Sequence, residues 1–292
     1  MGIFLIIIAI IFFVSILLIF RMFDNYEIDN SQALIVNYFV AAFFAFTIYS
    51  GELKIVEIPY QDWFSPSIIL GILFALSFLL FALSTQKAGI AITSVASKMA
   101  VMIPVIFGAY FYDSENLNAI KIVGLLLAMA SFLLIFRKNN SDTINKNKII
   151  LPIAIFFFSG ANDTLLKYIR EVHFNISESN LNSEILFVAT LFSISFISSL
   201  IFFGIPLMVK KKRFELKNII AGSILGIFNF LSAFTMFKAM GYFESAVFFP
   251  IFNVSVVGLS ALIGVILFKE KLTTINYLGL ILALAAILLL TL

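Results

Sequence analysis

Long apolar runs alternate with short polar or Pro/Gly-marked links along the whole chain. A run of about 20 apolar residues makes a helix long enough to cross a hydrocarbon core of about 30 Å. The pattern predicts ten such helices, at 2–20, 31–50, 66–86, 90–112, 117–136, 149–169, 184–209, 218–237, 244–268 and 273–291. The longest polar stretches are 51–65, 137–148 and 170–183. The segment 137–148, RKNNSDTINKNK, divides the spans five and five.

The two halves resemble each other. SENLNAIKIVGLLLAMASFLLI (114–135) aligns with KEKLTTINYLGLILALAAILLL (269–290), pairing Glu115 with Glu270, Leu117 with Leu272 and Gly124 with Gly279. Upstream, ALSTQKAG (82–89) aligns with AFTMFKAM (233–240) and pairs Lys87 with Lys238; IAIIFF (8–13) aligns with IAIFFF (153–158). An odd number of spans per half makes the second half enter the bilayer upside down, which gives an inverted repeat with a site near the midplane. The expected fold is therefore an all-α membrane protein of two inverted five-helix repeats. They cover 1–137 and 149–292, with a connecting loop at 138–148.

Composition sharpens this picture. Of 292 residues, 62% are hydrophobic and 12% charged, against about 25% charged in a soluble domain. The net charge of +3 and pI near 9.0 arise from basic residues in links beside the membrane, so nucleic acid is not an expected partner. The absence of cysteine excludes disulfides, thiolate metal sites and cysteine nucleophiles, and the lone His173, in a polar loop, excludes a multi-histidine metal site. Residues 1–20 lack a basic leader and a small-residue cleavage site, and are read as the first span rather than a signal peptide. Gly2 lacks the downstream Ser/Thr of a myristoylation motif. Counted by side, five basic residues accompany the termini and thirteen lie opposite, so the positive-inside rule puts 137–148 and 210–217 in the cytoplasm and both termini outside.

The polar residues inside spans carry the candidate chemistry. Lys98 lies roughly 12 Å into the fourth span, where a charge marks a functional site, snorkels to the surface or is neutralised by an internal hydrogen bond. Its repeat counterpart is Asn253 in the ninth span. Asn162 and Asp163 lie in the sixth span, Asn229 in the eighth and Asn37 in the second. Asp163 either pairs with Lys98 to bury both charges or serves transport directly. Pro104 and Pro250 each remove a backbone hydrogen bond from the spans that hold Lys98 and Asn253. Gly222 and Gly226 form a GxxxG pattern. Glu115 and Glu270 stand at helix starts, where a carboxylate complements the helix dipole.

Gly160, Asn162 and Lys167 on the sixth span, Lys87-Ala88, Ile103-Pro104-Val105 and the Glu270–Leu272 link together resemble the drug/metabolite transporter superfamily, in particular its ten-span EamA-like members. The first span departs from the family pattern, with Val14-Ser15-Ile16 in place of a Trp-Gly-Ser-Asn signature. The resemblance implies an alternating-access carrier, often an exporter, with a central cavity lined by both halves and with cytoplasmic termini, the orientation opposite to that of the charge count. The expected protein is a multi-pass secondary transporter of the bacterial cytoplasmic (inner) membrane, monomeric or homodimeric and without a cofactor. Its partners are the lipid bilayer and a small polar metabolite, an amino acid first, with a proton as candidate coupling ion. Expected substrate-binding residues are Lys98, Asp163, Asn162, Asn229, Asn253 and Asn37, with no catalytic or metal-binding residue. An importer or exchanger of an organic cation or sugar-like solute is the alternative. A membrane-embedded enzyme finds almost no catalytic groups here, and a channel would need a continuous polar face.

Overall fold

The computed structural model describes residues 2–111, 119–136, 147–174, 181–240, 242, 245–270 and 272–290. Glu115, Lys271 and most of the 137–148 link lie outside the described residues. The described chain is helical and contains no strand: α1 (Gly2–Asn25), α2 (Asn30–Ile48), α3 (Phe64–Lys87), α4 (Ile90–Met99), α5 (Met102–Phe111), α6 (Ala119–Phe136), α7 (Asn147–His173), α8 (Leu181–Ser199), α9 (Ile205–Val209), α10 (Leu216–Met240), α11 (Ser245–Phe268) and α12 (Thr274–Leu290). A 3₁₀ helix, Ile55–Tyr60, precedes α3, and α7 extends through His173, which the sequence had placed in a loop. Among the described residues seven segments are long and apolar enough to cross a membrane, and three shorter apolar helices lie at 90–104, 119–131 and 274–289.

The two interruptions follow from proline chemistry. Pro104 has no N–H to give to the carbonyl four residues back, and its ring crowds that carbonyl. The predicted fourth span accordingly breaks into α4 and α5 at Ala100–Val101, where Val101 and Ile103 N–H donate to the carbonyls of Lys98 (3.3 Å) and Ala100 (2.9 Å). Pro206 has the same effect on the seventh span, which continues from α8 into α9 through one π turn, Leu200–Gly204. Pro250 leaves α11 continuous.

The chain forms two compact units, divided inside α3 after Leu79 and inside α7 after Thr164. The first unit comprises residues 1–79 and 165–242. In it α10 packs on α1 and α2, and α2 on α8. A Cβ on Gly222 would collide with the Ala33 carbonyl and sit 2.8 Å from Val36; one on Gly226 would lie 2.6 Å from the Asn37 carbonyl. The GxxxG pattern is thus the contact that lets the α10 and α2 backbones meet. Gly71 does the same for α3 and α8, where an added Cβ would lie 2.6 Å from Ile194 and 3.2 Å from the Leu191 carbonyl. Near the ends of these helices Trp63, Phe174, Phe187 and Phe237 stack edge and face around Arg170, whose guanidinium lies 4.8 Å from the Phe237 centroid. Arg170 Nη1 donates to Glu184 Oε1 at 2.6 Å with both residues buried.

The second unit, residues 80–164 and 243–292, packs α12 against α6, and α11 against α4 and α12. Val95, Met99, Ala128, Val257, Ala283 and Ile287 form its apolar core.

Candidate functional site

The second unit holds Lys98 and Asp163, the charges that the sequence places farthest inside spans. Lys98 occupies the last turn of α4 and is 7% exposed. Its Nζ lies 4.8 Å from the ring centroid of Phe252, whose chain neighbour on α11 is the buried Asn253. On α7, Asp163 is half-buried and within electrostatic reach of Lys98. Asn162 beside it is buried. One turn earlier Ser159 buries a hydroxyl with no hydrogen-bond partner among the described residues. The structure thus brings Lys98 and Asp163 together and adds the Phe252 face, an apolar residue that hydropathy reasoning had no means of singling out. Gly160 explains why α7 approaches closely here: a Cβ at this position would collide with Ile103 of α5.

The setting of Lys98 follows from the break at Ala100. The carbonyl end of a helix carries partial negative charge and favours a nearby cation. Ending α4 at Met99 places the ammonium-bearing residue at such an end in mid-chain, away from any loop.

The amino end of α4 is held by Glu270. Its Oε1 accepts the Ile90 N–H at 2.7 Å and its Oε2 the Ala91 N–H at 3.3 Å. Two glycines wrap the carboxylate: a Cβ on Gly89 or on Gly264 would lie 2.7 or 2.5 Å from its oxygens. Gly89 also has φ +98°, a conformation that side chains rarely adopt. The sequence placed Glu270 at the start of its own helix. That start, α12, is instead capped by Thr273 and Asn276, whose N–H and side-chain groups bond reciprocally at 2.9 and 3.3 Å. Glu270 complements a helix dipole as expected, but that of α4.

The other two predicted site residues lie in the first unit and bond to each other. Asn229 Nδ2 donates to Asn37 Oδ1 at 3.2 Å, joining α10 to α2, with both residues buried. The Asn37 Nδ2 has no partner among the described residues. No group of three or more His, Cys, Asp or Glu residues able to hold a metal occurs among the described residues.

Comparison with known proteins identifies the family. The model of the EamA-like transporter family matches residues 147–292. An uncharacterized protein of Haemophilus influenzae is 26% identical over 289 residues, covering 96% of this chain and 94% of its own. A protein of known crystal structure aligns with a TM-score of 0.62 over 99% of this chain and 95% of its own, at 13% identity, so its likeness is one of fold. Apolar helices in this number and a family match over the second half of the sequence lead to one conclusion: the chain is a multi-pass membrane protein that belongs to the EamA-like transporter family of the drug/metabolite transporter superfamily.

Proposed function

We propose that this protein is a secondary carrier that exports a small polar metabolite, an amino acid or related zwitterion, by alternating access. The observation that carries the reading is the Lys98–Asp163 pair, opposite charges set among apolar helices at a helix break. An intramembrane ionisable residue costs at least about 2.5 kcal/mol on insertion scales, a cost that a binding role justifies. A solute bearing a carboxylate and an ammonium replaces the pair charge for charge. Its carboxylate meets Lys98, its ammonium meets Asp163, and its apolar part has the Phe252 ring beside Lys98. Asn162 and Asn253 supply neutral hydrogen bonds from α7 and α11. Asp163 is the candidate proton carrier, and the location is the bacterial cytoplasmic membrane.

Several contacts support ten spans arranged as inverted repeats. The three shorter apolar helices coincide with the predicted fourth, fifth and tenth spans. Gly71 and Gly222 stand at the same spacing as Lys87 and Lys238, and their packing partners Leu191/Ile194 and Ala33/Val36 correspond at one common spacing as well. Helices α2 and α8, α4 and α11, and α6 and α12, which the repeat makes counterparts, pack against each other.

Proteoliposome counterflow with labelled amino acids and amines tests the reading. Lys98→Met and Asp163→Asn should each lower uptake by at least about tenfold, the effect of losing one charged contact of about 1.5–3 kcal/mol. Native rates for every solute in both variants would sink the site.

A further inference from the structure

We propose that the link between α9 and α10, residues 210–217, is a docking surface for anionic phospholipid headgroups. Its sequence, KKKRFELK, carries five cations, and Lys210, Lys211, Lys212, Arg213 and Lys217 are all exposed. Two acids answer them: Asp29 binds Lys212 at 2.6 Å and Glu215 lies 3.5 Å from Lys217. The side chains of Lys210, Lys211 and Arg213 form no ion pair among the described residues. Three like charges are therefore presented together with no ion-pair partner among the described residues.

The backbone that presents them is fixed. Gln32 Nε2 donates to the Arg213 carbonyl at 3.0 Å, and Gln32 Oε1 accepts from the Glu215 N–H at 3.0 Å and from Asn218 Nδ2 at 2.8 Å. Asn218 Oδ1 in turn accepts the Asp29 N–H at 3.0 Å. Lys211 turns the chain at φ 51°, and the Lys210 and Lys212 N–H groups close onto the carbonyls of Pro206 and Leu207. Gln32 and Asn218 are 1% exposed, so burial protects these bonds from water. An ordered basic platform loses less conformational freedom on binding than a mobile basic tail does.

What stands beside the cations selects the ligand. Met208, Val209 and Leu216 are 79%, 76% and 71% exposed, and Phe214 lies within the basic run. Large apolar side chains on both sides of a cation cluster fit the boundary between headgroups and acyl chains. A soluble anion would engage the cations and leave the apolar flanks in water. A phospholipid meets both, with its phosphate on Lys210, Lys211 and Arg213 and its chains against the flanks.

The test uses the full chain purified in neutral detergent, with dioleoylphosphatidylglycerol, dioleoylphosphatidylcholine or inorganic phosphate added. Lipids retained are counted by native mass spectrometry and melting is followed in parallel. Each basic residue near an anionic surface strengthens binding roughly fivefold. The wild type should retain phosphatidylglycerol in several-fold excess over phosphatidylcholine. The combined variant Lys210→Gln, Lys211→Gln, Arg213→Gln should lose on the order of a hundredfold in phosphatidylglycerol affinity at low salt. The charge-keeping variant Lys210→Arg, Lys211→Arg, Arg213→Lys should keep the preference, and rising salt should erode it in the wild type. Equal retention of the two lipids by the wild type overturns the proposal, as does an unchanged preference in the glutamine variant or indifference to salt. A melting shift reproduced by inorganic phosphate alone would make the link a soluble-anion site and overturn the lipid assignment.

Discussion

A buried helix amino terminus exposes N–H groups that nothing within the helix can satisfy, and Glu270 answers two of them on α4. Charge-assisted bonds to buried donors are among the strong ones, and leaving the donors empty costs their full desolvation. Glu270→Ala is expected to destabilise the protein by about 2–4 kcal/mol, with Glu270→Gln, which retains one acceptor, falling between. Thermal melts of the purified variants read both, and a Glu270→Ala protein that melts like the wild type would remove the cap from the account. Lys98 and Asp163 were legible in the sequence because a charge inside an apolar run stands out by itself. The partner of Glu270 was not legible, because the residues it caps lie 180 positions away. The Glu-Lys-Leu link is thereby given a physical role: its carboxylate holds a helix from the other half of the chain.

Among helices the decisive quantity is how closely two backbones approach. Gly222 and Gly226 set that distance for α10 and α2, whereas a Cβ on Gly258 would meet nothing within 4 Å. Gly222→Val should therefore cost on the order of 1–3 kcal/mol through overpacking, while Gly258→Ala leaves the melting temperature at or slightly above that of the wild type. Both are read in the same melting assay, and equal effects would contradict the packing. A second element-scale prediction concerns Arg170 and Glu184, which join the end of α7 to the start of α8. Removing one member strands a buried charge: Arg170→Met or Glu184→Leu alone should cost about 3–5 kcal/mol, and the double variant Arg170→Met, Glu184→Leu should recover most of it. A double-mutant cycle on melting free energy checks the coupling, and strict additivity would argue against the pair. Span boundaries were largely readable from hydropathy, and the GxxxG spacing was visible too. The division of the fourth span was not, since Pro104 and Pro250 look alike in sequence and only the first breaks its helix.

For the whole molecule, pH acts through the clamp at the head of α2. Partial burial pushes the Asp29 carboxyl up, but hydrogen bonds from Lys212, Gln32 and Ser31 and the charge of Lys212 outweigh it and leave the group below its ordinary value of 3.8. Lys212 moves the other way, above 10.5, chiefly through its hydrogen bond to Asp29 and then through the charges of Asp29 and Glu215. A lowered carboxyl stabilises the fold above its unfolded value and loses that contribution as pH falls through the folded one. A raised lysine contributes below its unfolded value and loses it as pH climbs through the folded one. The gap in melting temperature between wild type and Asp29→Asn should stay open across the neutral range and close in acid; a gap independent of pH would dismiss the clamp. The general architecture, helices in a membrane with Lys98 and Asp163 inside spans, was available from composition and spacing. The gathering of residues into two compact units, each drawing on both halves of the chain, was not, because that grouping rests on contacts between segments far apart in sequence. The interruption after Met99 has an electrostatic corollary. A ten-residue rod with an anion held at its amino pole and a cation at its carbonyl pole has both ends of its dipole answered by protein groups, so neither end depends on water for compensation.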